Sequence, residues 1–197
     1  MFKKKFDPAL KDRVNAIIEP VVITVKKFDD AGVDEFRKKI NESYLTGQPV
    51  LPVIIDSYGG SVYGCLDMVS QIQACALPVY TIILGKAMSA GAILFSMGKK
   101  RYMAENATIM LHEVSAGAVG KLEDIKISVE HTSKLNKVMF GLLDENCGQK
   151  KNYFTDLIGK KKNTDVFLDA KDAKKHKLCT DIGLPELSVE VIVKYKY

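Results

Sequence analysis

Tryptophan is absent from the 197 residues, and there are only three histidines and four cysteines. Cys65, Cys75, Cys147 and Cys179 lie far apart, with no C-x-x-C pair and no histidine at ligand spacing. Neither a zinc site nor a disulfide framework is therefore expected, and the four read as small buried or half-buried residues. No apolar run approaches the roughly 20 residues needed to span a bilayer. The start, Met1-Phe-Lys-Lys-Lys-Phe6, lacks the apolar stretch of a secretory signal, so a cytoplasmic location without membrane contact is expected. Internal repeats and low-complexity segments are missing as well. What is present is 47% hydrophobic residues, enough for one domain over residues 1–197 with a substantial core. The formal charge of +5 gathers in Lys160-Lys-Lys162, Lys174-Lys175, Lys177 and the last residues. Asp165, Asp169, Asp172 and Asp181 interrupt it and no aromatic platform accompanies it, which favours a solvated face over a nucleic-acid surface.

Hydrophobic periodicity predicts alternating strands and helices. Residues 7–18 suit a short amphipathic helix broken by Pro20, and residues 21–25 a strand. Asp29-Asp30 can cap a helix over 31–44, with Val33, Phe36 and Ile40 on one face. A buried strand over 49–55 leads through Asp56-Ser-Tyr-Gly-Gly60 into a helix over 61–75, and a second buried strand covers 78–84. Repeated strand–helix units of this kind argue for an α/β fold with a largely parallel sheet. Further on, Arg101-Tyr-Met-Ala104 and residues 108–111 read as strands. A long helix over 122–145 carries an apolar stripe from Leu122 to Leu143, and so long a helix in a small domain is expected to protrude and to need a partner. Gly148-Gln149 ends it, residues 153–158 form a shorter helix, 166–168 an extended piece, Asp169 caps a helix through 175, and 189–194 close as a strand.

Three places bear on chemistry. Ser89 stands where the strand over 78–84 gives way to an uncharged helix over 90–97 stopped by Gly98, with small residues on both sides. This suits a nucleophile elbow without matching G-x-S-x-G, and a serine at a helix start is, taken alone, more often a cap. Gly59-Gly60, after a strand, permits a sharp turn with exposed N–H groups, though for the pair taken alone an ordinary turn is the better explanation. His112 follows a buried strand directly and is the one good candidate for a general base, since His131 lies in a polar helical stretch and His176 among lysines, where both read as solvated.

Tyr58-Gly-Gly60, Ala87-Met-Ser-Ala-Gly91 and Arg101-Tyr-Met-Ala-Glu-Asn-Ala-Thr-Ile-Met-Leu-His112 stand in fixed order. Together they resemble the proteolytic subunit of the Clp protease, whose patterns are S-P-G-G, A-A-S-M-A/G and R-Y-x-L-P-N-S-x-x-M-I-H-Q-P. The likeness continues through the long helix to Cys147-Gly-Gln149 and resumes at Val166-Phe-Leu-Asp-Ala-Lys-Asp-Ala173, covering roughly residues 20–185. It implies the ClpP/crotonase type of α/β fold, with residues 1–19 as an N-terminal segment and 121–160 as the protruding handle. It also implies a serine endopeptidase with Ser89 as nucleophile, His112 as base and later acid, and the N–H groups of Gly60 and Ala90 as oxyanion hole. No metal or cofactor is implied. The expected partners are unfolded polypeptide, further copies in heptameric rings stacked as a tetradecamer, and an AAA+ unfoldase that spends the ATP.

The resemblance departs at the third member of the triad. Counting back from Phe167 puts Lys161 where the family has its aspartate, leaving Asn163, Asp165 or no residue to orient the histidine. Asp165 is the choice here, because a carboxylate would also stabilise an imidazolium. Tyr58 and Val114 stand where the family has prolines, and the chain start matches its axial segment poorly. Two other readings stay open: a non-catalytic or dedicated processing subunit, as in capsid maturation, and an acyl-CoA hydratase or isomerase of the same broad fold. The latter needs neither Ser89 nor His112.

Overall fold

The computed structural model describes residues 2–4, 19–160 and 165–189. The helix expected over 7–18, Lys161, Asn163 and most of the closing strand lie outside them. The described elements run β1 (Phe2–Lys4), β2 (Ile23–Val25), α1 (Asp30–Tyr44), β3 (Leu51–Ser57), α2 (Val62–Ala74), β4 (Val79–Met88), α3 (Ala90–Ser96), β5 (Lys100–Met103) and β6 (Thr108–His112). They continue with α4 (Leu122–Asn146), α5 (Tyr153–Lys160), β7 (Asp165–Leu168), α6 (Ala170–Lys175), β8 (Asp181–Ile182) and β9 (Leu187–Val189).

Local signals account for the helix starts. Asp29 Oδ1 accepts the Gly32 N–H at 2.9 Å, Ser61 Oγ accepts that of Gly64 at 3.2 Å, and Asp169 Oδ1 that of Asp172 at 2.8 Å. Each satisfies an N–H that the helix itself leaves unpaired. The apolar face expected for α1 (Val33, Phe36, Ile40) is buried, whereas of the face expected for α2 (Val62, Leu66, Val69, Ile72) only Val69 and Ile72 are, with Cys65 and Met68 buried beside them and Val62 and Leu66 half-buried. Each large side chain so placed contributes about 1.5–3 kcal/mol. These helices pack on a sheet ordered β2-β3-β4-β5-β8, with β6 beside β4 and β7 beside β6. Every pairing in it is parallel except β6 with β7, and β1 pairs with β9 in a separate parallel pair. Leu51, Val53 and Ile55 of the central β3 are fully buried, as strands covered on both faces should be.

β4 differs from expectation in length. The apolar run suggested an end at Leu84, but the strand continues to Met88 because it changes partner: Tyr80–Ile83 pair with β5, and Lys86–Met88 pair with β6. The second ladder depends on residues more than twenty positions downstream, so no local pattern announces it. Gly98 stands just after the end of α3, as expected of a stop signal, and packing adds a second reason for it. α3 closes at Ser96 with Met97 as its cap, and a Cβ at position 98 would lie 2.2 Å from Thr81 Oγ1, so the glycine is there to let the helix end meet β4.

Only the foot of α4 packs on the core, through Met139, Phe140 and Leu143. Higher up, Leu122, Ile127, Val129 and Val138 are exposed, so the helix protrudes with its stripe uncovered. Asp144, buried, accepts the Phe154 N–H at 3.1 Å and so fixes α5 to α4. The reading of His176 as solvated is corrected, while His131 is exposed as expected but has a partner. His131 stacks on Tyr63 and shares a 2.6 Å hydrogen bond with its hydroxyl, and half-buried His176 shares one of 2.7 Å with Tyr153. Both partners are aromatic residues on other helices, α2 and α5, which the polar neighbours in sequence did not betray.

Candidate active site

Ser89 occupies the single residue between β4 and α3, and its backbone is held on both sides. Its N–H donates to the Met110 carbonyl at 2.8 Å, extending the β4–β6 ladder, while its own carbonyl accepts from Ala92 at 2.9 Å and Ile93 at 3.3 Å. Between these anchors it takes φ 54° and ψ −119°, a region that costs a residue with a Cβ about 1–3 kcal/mol. Although it is the residue before the helix, its hydroxyl makes no capping bond. The cap explanation, the stronger one for a serine taken alone, therefore does not account for this residue.

Gly59 explains itself by contact. At φ +104° it passes so close to the elbow that an added Cβ would lie 2.8 Å from Ser89 Cβ and 3.1 Å from the Met88 carbonyl. Its N–H is taken by Ser57 Oγ at 3.0 Å. The next N–H, of Gly60, has no hydrogen-bond partner among the described residues, nor has that of Ala90 at the first position of α3. Unpaired N–H groups at a helix start and a glycine turn are suited to an anionic oxygen.

Gly60, Ser89, Ala90 and His112 line one cleft. His112 is the last residue of β6 and half-buried. The chain just after it is tied to the long helix: Asn136 Oδ1 accepts the Val114 N–H at 3.0 Å, and Asn136 Nδ2 donates to Glu113 Oε1 at 3.5 Å. No hydrogen bond joins Ser89 to His112. The floor of the cleft is apolar, built from Ile93, Leu111, Met139, Phe140 and Leu143. That floor and Asn136 come from elements far apart in sequence and were not foreseen.

Asp165 opens β7 and stands directly across from His112 in the antiparallel β6–β7 ladder. Residues so paired project to the same face with Cβ atoms about 4.5–5.5 Å apart. Its carboxylate is exposed and makes no hydrogen bond to the imidazole. The alternative, Asn163, and Lys161 at the family's aspartate position lie outside the described residues. Among those residues no cluster of three metal-ligating side chains occurs, and no helix is long and apolar enough to cross a membrane.

A largely parallel α/β sheet, with its serine elbow, glycine turn and strand-end histidine at one cleft and a long helix standing off the core, defines the ClpP-like class of fold. The chain belongs to the Clp protease family: the sequence model of that family, described as Clp protease, matches residues 45–184. At the level of the family it is a ClpP-like peptidase.

Proposed function

We propose that the protein is a serine endopeptidase acting on unfolded polypeptide, with Ser89 as nucleophile and His112 as general base. The observation that carries this reading is the conformation of Ser89: strained, uncapped, and facing the same cleft as His112 and two unpaired N–H groups. In the proposed mechanism His112 takes the hydroxyl proton as Ser89 Oγ bonds to the scissile carbonyl carbon. The negative charge that moves onto the carbonyl oxygen is met by the N–H groups of Gly60 and Ala90. Collapse breaks the C–N bond, and the imidazolium returns its proton to the leaving amine. Water, deprotonated by the same histidine, then releases the acyl group and restores Ser89. Asp165 orients the imidazole and stabilises its cation across the β6–β7 pair, and the apolar floor takes an apolar side chain next to the cleaved bond.

This chemistry is proposed to work inside a chamber of heptameric rings stacked as a tetradecamer and fed by an AAA+ unfoldase. Family membership and the uncovered stripe of α4 support the assembly. No metal or cofactor takes part. A second reading, a subunit that assembles without cleaving, draws support from the missing Ser89–His112 hydrogen bond and the exposed Asp165. Catalytic hydrogen bonds are often long or misaligned before substrate binds, which keeps the first reading ahead. Hydrolysis of fluorogenic peptides and of an unfolded protein decides between them: activity abolished by Ser89→Ala and by His112→Ala is expected, and an assembled but inert wild type would establish the second.

A further inference from the structure

Between Ile55 and Ser57 the β3–β4 ladder slips. Ile55 faces Ile83 and Ser57 faces Ala87, so one residue of β3, Asp56, stands against three of β4. A bulge bends its strand and re-aims the residues beyond it, and on β4 the chain beyond the bulge leads straight to Ser89. Beyond the slip Ser57–Ala87 is the one remaining pair, so little backbone pairing holds the chain leading to Gly59-Gly60 against the end of β4. Side chains span the gap instead. Lys86 Nζ donates to Asp56 Oδ1 at 2.5 Å and lies 4.5 Å from the centroid of the Tyr58 ring. One ammonium on β4 thus engages both the residue at the slip and the residue immediately before Gly59. Ser57, between them, is anchored from the other side, its Oγ donating to the Lys26 carbonyl at 2.7 Å and accepting the Gly59 N–H. Tyr58 itself is 74% exposed, so burial does not fix it.

We propose that Lys86 is a positioning residue for peptide hydrolysis: by gripping Asp56 and Tyr58 it sets how the Gly59-Gly60 turn lies against Ser89, and with it the fit of the oxyanion cradle. The inference rests on the reading of Gly60 as an oxyanion donor. A cradle set by a side-chain clamp has a particular kinetic signature. Loosening it weakens the hold on the transition state while leaving the apolar floor that binds substrate untouched. An error of about 1 Å in such a site can cost on the order of a hundredfold in rate. Arginine keeps the positive charge and can itself pair with a carboxylate and stack on a ring.

The test compares wild type with Lys86→Gln, Lys86→Arg and Asp56→Asn for kcat and KM on a fluorogenic peptide and for the rate of inactivation by a fluorophosphonate, all on protein of wild-type assembly size. Lys86→Gln and Asp56→Asn are expected to lower kcat and the inactivation rate by roughly tenfold to a hundredfold, with KM within about twofold, and Lys86→Arg to restore most of the loss. If Lys86→Gln fails to fold, Asp56→Asn carries the same comparison. Unchanged kcat in these variants of an active enzyme, or an arginine variant as impaired as the glutamine one, would overturn the positioning role alone. A wild type that neither hydrolyses peptide nor reacts with the phosphonate would overturn the proposed function, and this inference with it.

Discussion

Ser89 is strained because β6 holds its N–H, α3 holds its carbonyl, and Gly59 leaves just enough room for its Cβ. Gly59→Ala therefore tests the elbow at a single atom. The new methyl would overlap Ser89 Cβ, on a backbone with φ +104° that alanine rarely adopts. A loss of about 1–3 kcal/mol in urea unfolding is expected, together with a large fall in peptide hydrolysis. Asp165 offers a second test. Asp165→Asn keeps the side chain's shape and removes its charge, and a fall in kcat of tenfold or more is expected, against less than twofold for Lys161→Ala; equal effects would remove Asp165 from the proposed triad. At this scale the sequence was informative where chemistry needs a rare residue type: His112 stood out because only three histidines compete. It was silent on the clamp, because Lys86 and Asp56 are ordinary surface residues until a register slip sets them opposite each other.

Among the elements, α1, α2 and α6 were legible because their caps and apolar faces lie within a few residues of one another. β4 was not, since its last stretch of pairing is with β6, and α4 was legible only in part. Its period marked an apolar stripe along its length, yet only the last turns meet the core. Leu143→Ala at the buried foot should cost about 2–5 kcal/mol, whereas Val129→Ala on the exposed stalk should cost under about 0.5 kcal/mol in the isolated subunit; urea titration of both separates foot from stalk. The β3–β4 clamp carries its own pH signature. The hydrogen bond from Lys86, with the ammonium's charge, holds the Asp56 carboxyl below its ordinary range, and Asp56 in turn raises Lys86. A depressed carboxyl adds stability above its unfolded pKa that is lost as pH falls through the folded value. A raised ammonium adds stability below its unfolded pKa that is lost as pH rises through the folded value. The contribution of this partly exposed pair, small because solvent screens it, should thus be the same at pH 6 and pH 9, so the unfolding difference between wild type and Lys86→Gln should not change between those conditions.

For the whole molecule, the parallel sheet and the family were legible from the order of motifs, while the completeness of the cleft depended on folding. The cleft draws on the turn after β3, α2, the elbow between β4 and α3, α3, β6 and α4, and its floor could not be read from any one of them. The uncovered stalk makes assembly the matching prediction. Light scattering should find a species many times the 21.8 kDa subunit, and Ile127→Asp with Val129→Asp should reduce its size. The central claim, that Ser89 is a nucleophile activated by His112, is tested most directly by treating the assembled protein with a fluorophosphonate and locating the adduct by peptide mass spectrometry. The account predicts one adduct per subunit, on Ser89, abolished by Ser89→Ala and slowed at least a hundredfold by His112→Ala. An assembled wild type that forms no adduct, or one that forms it on another residue, would contradict it.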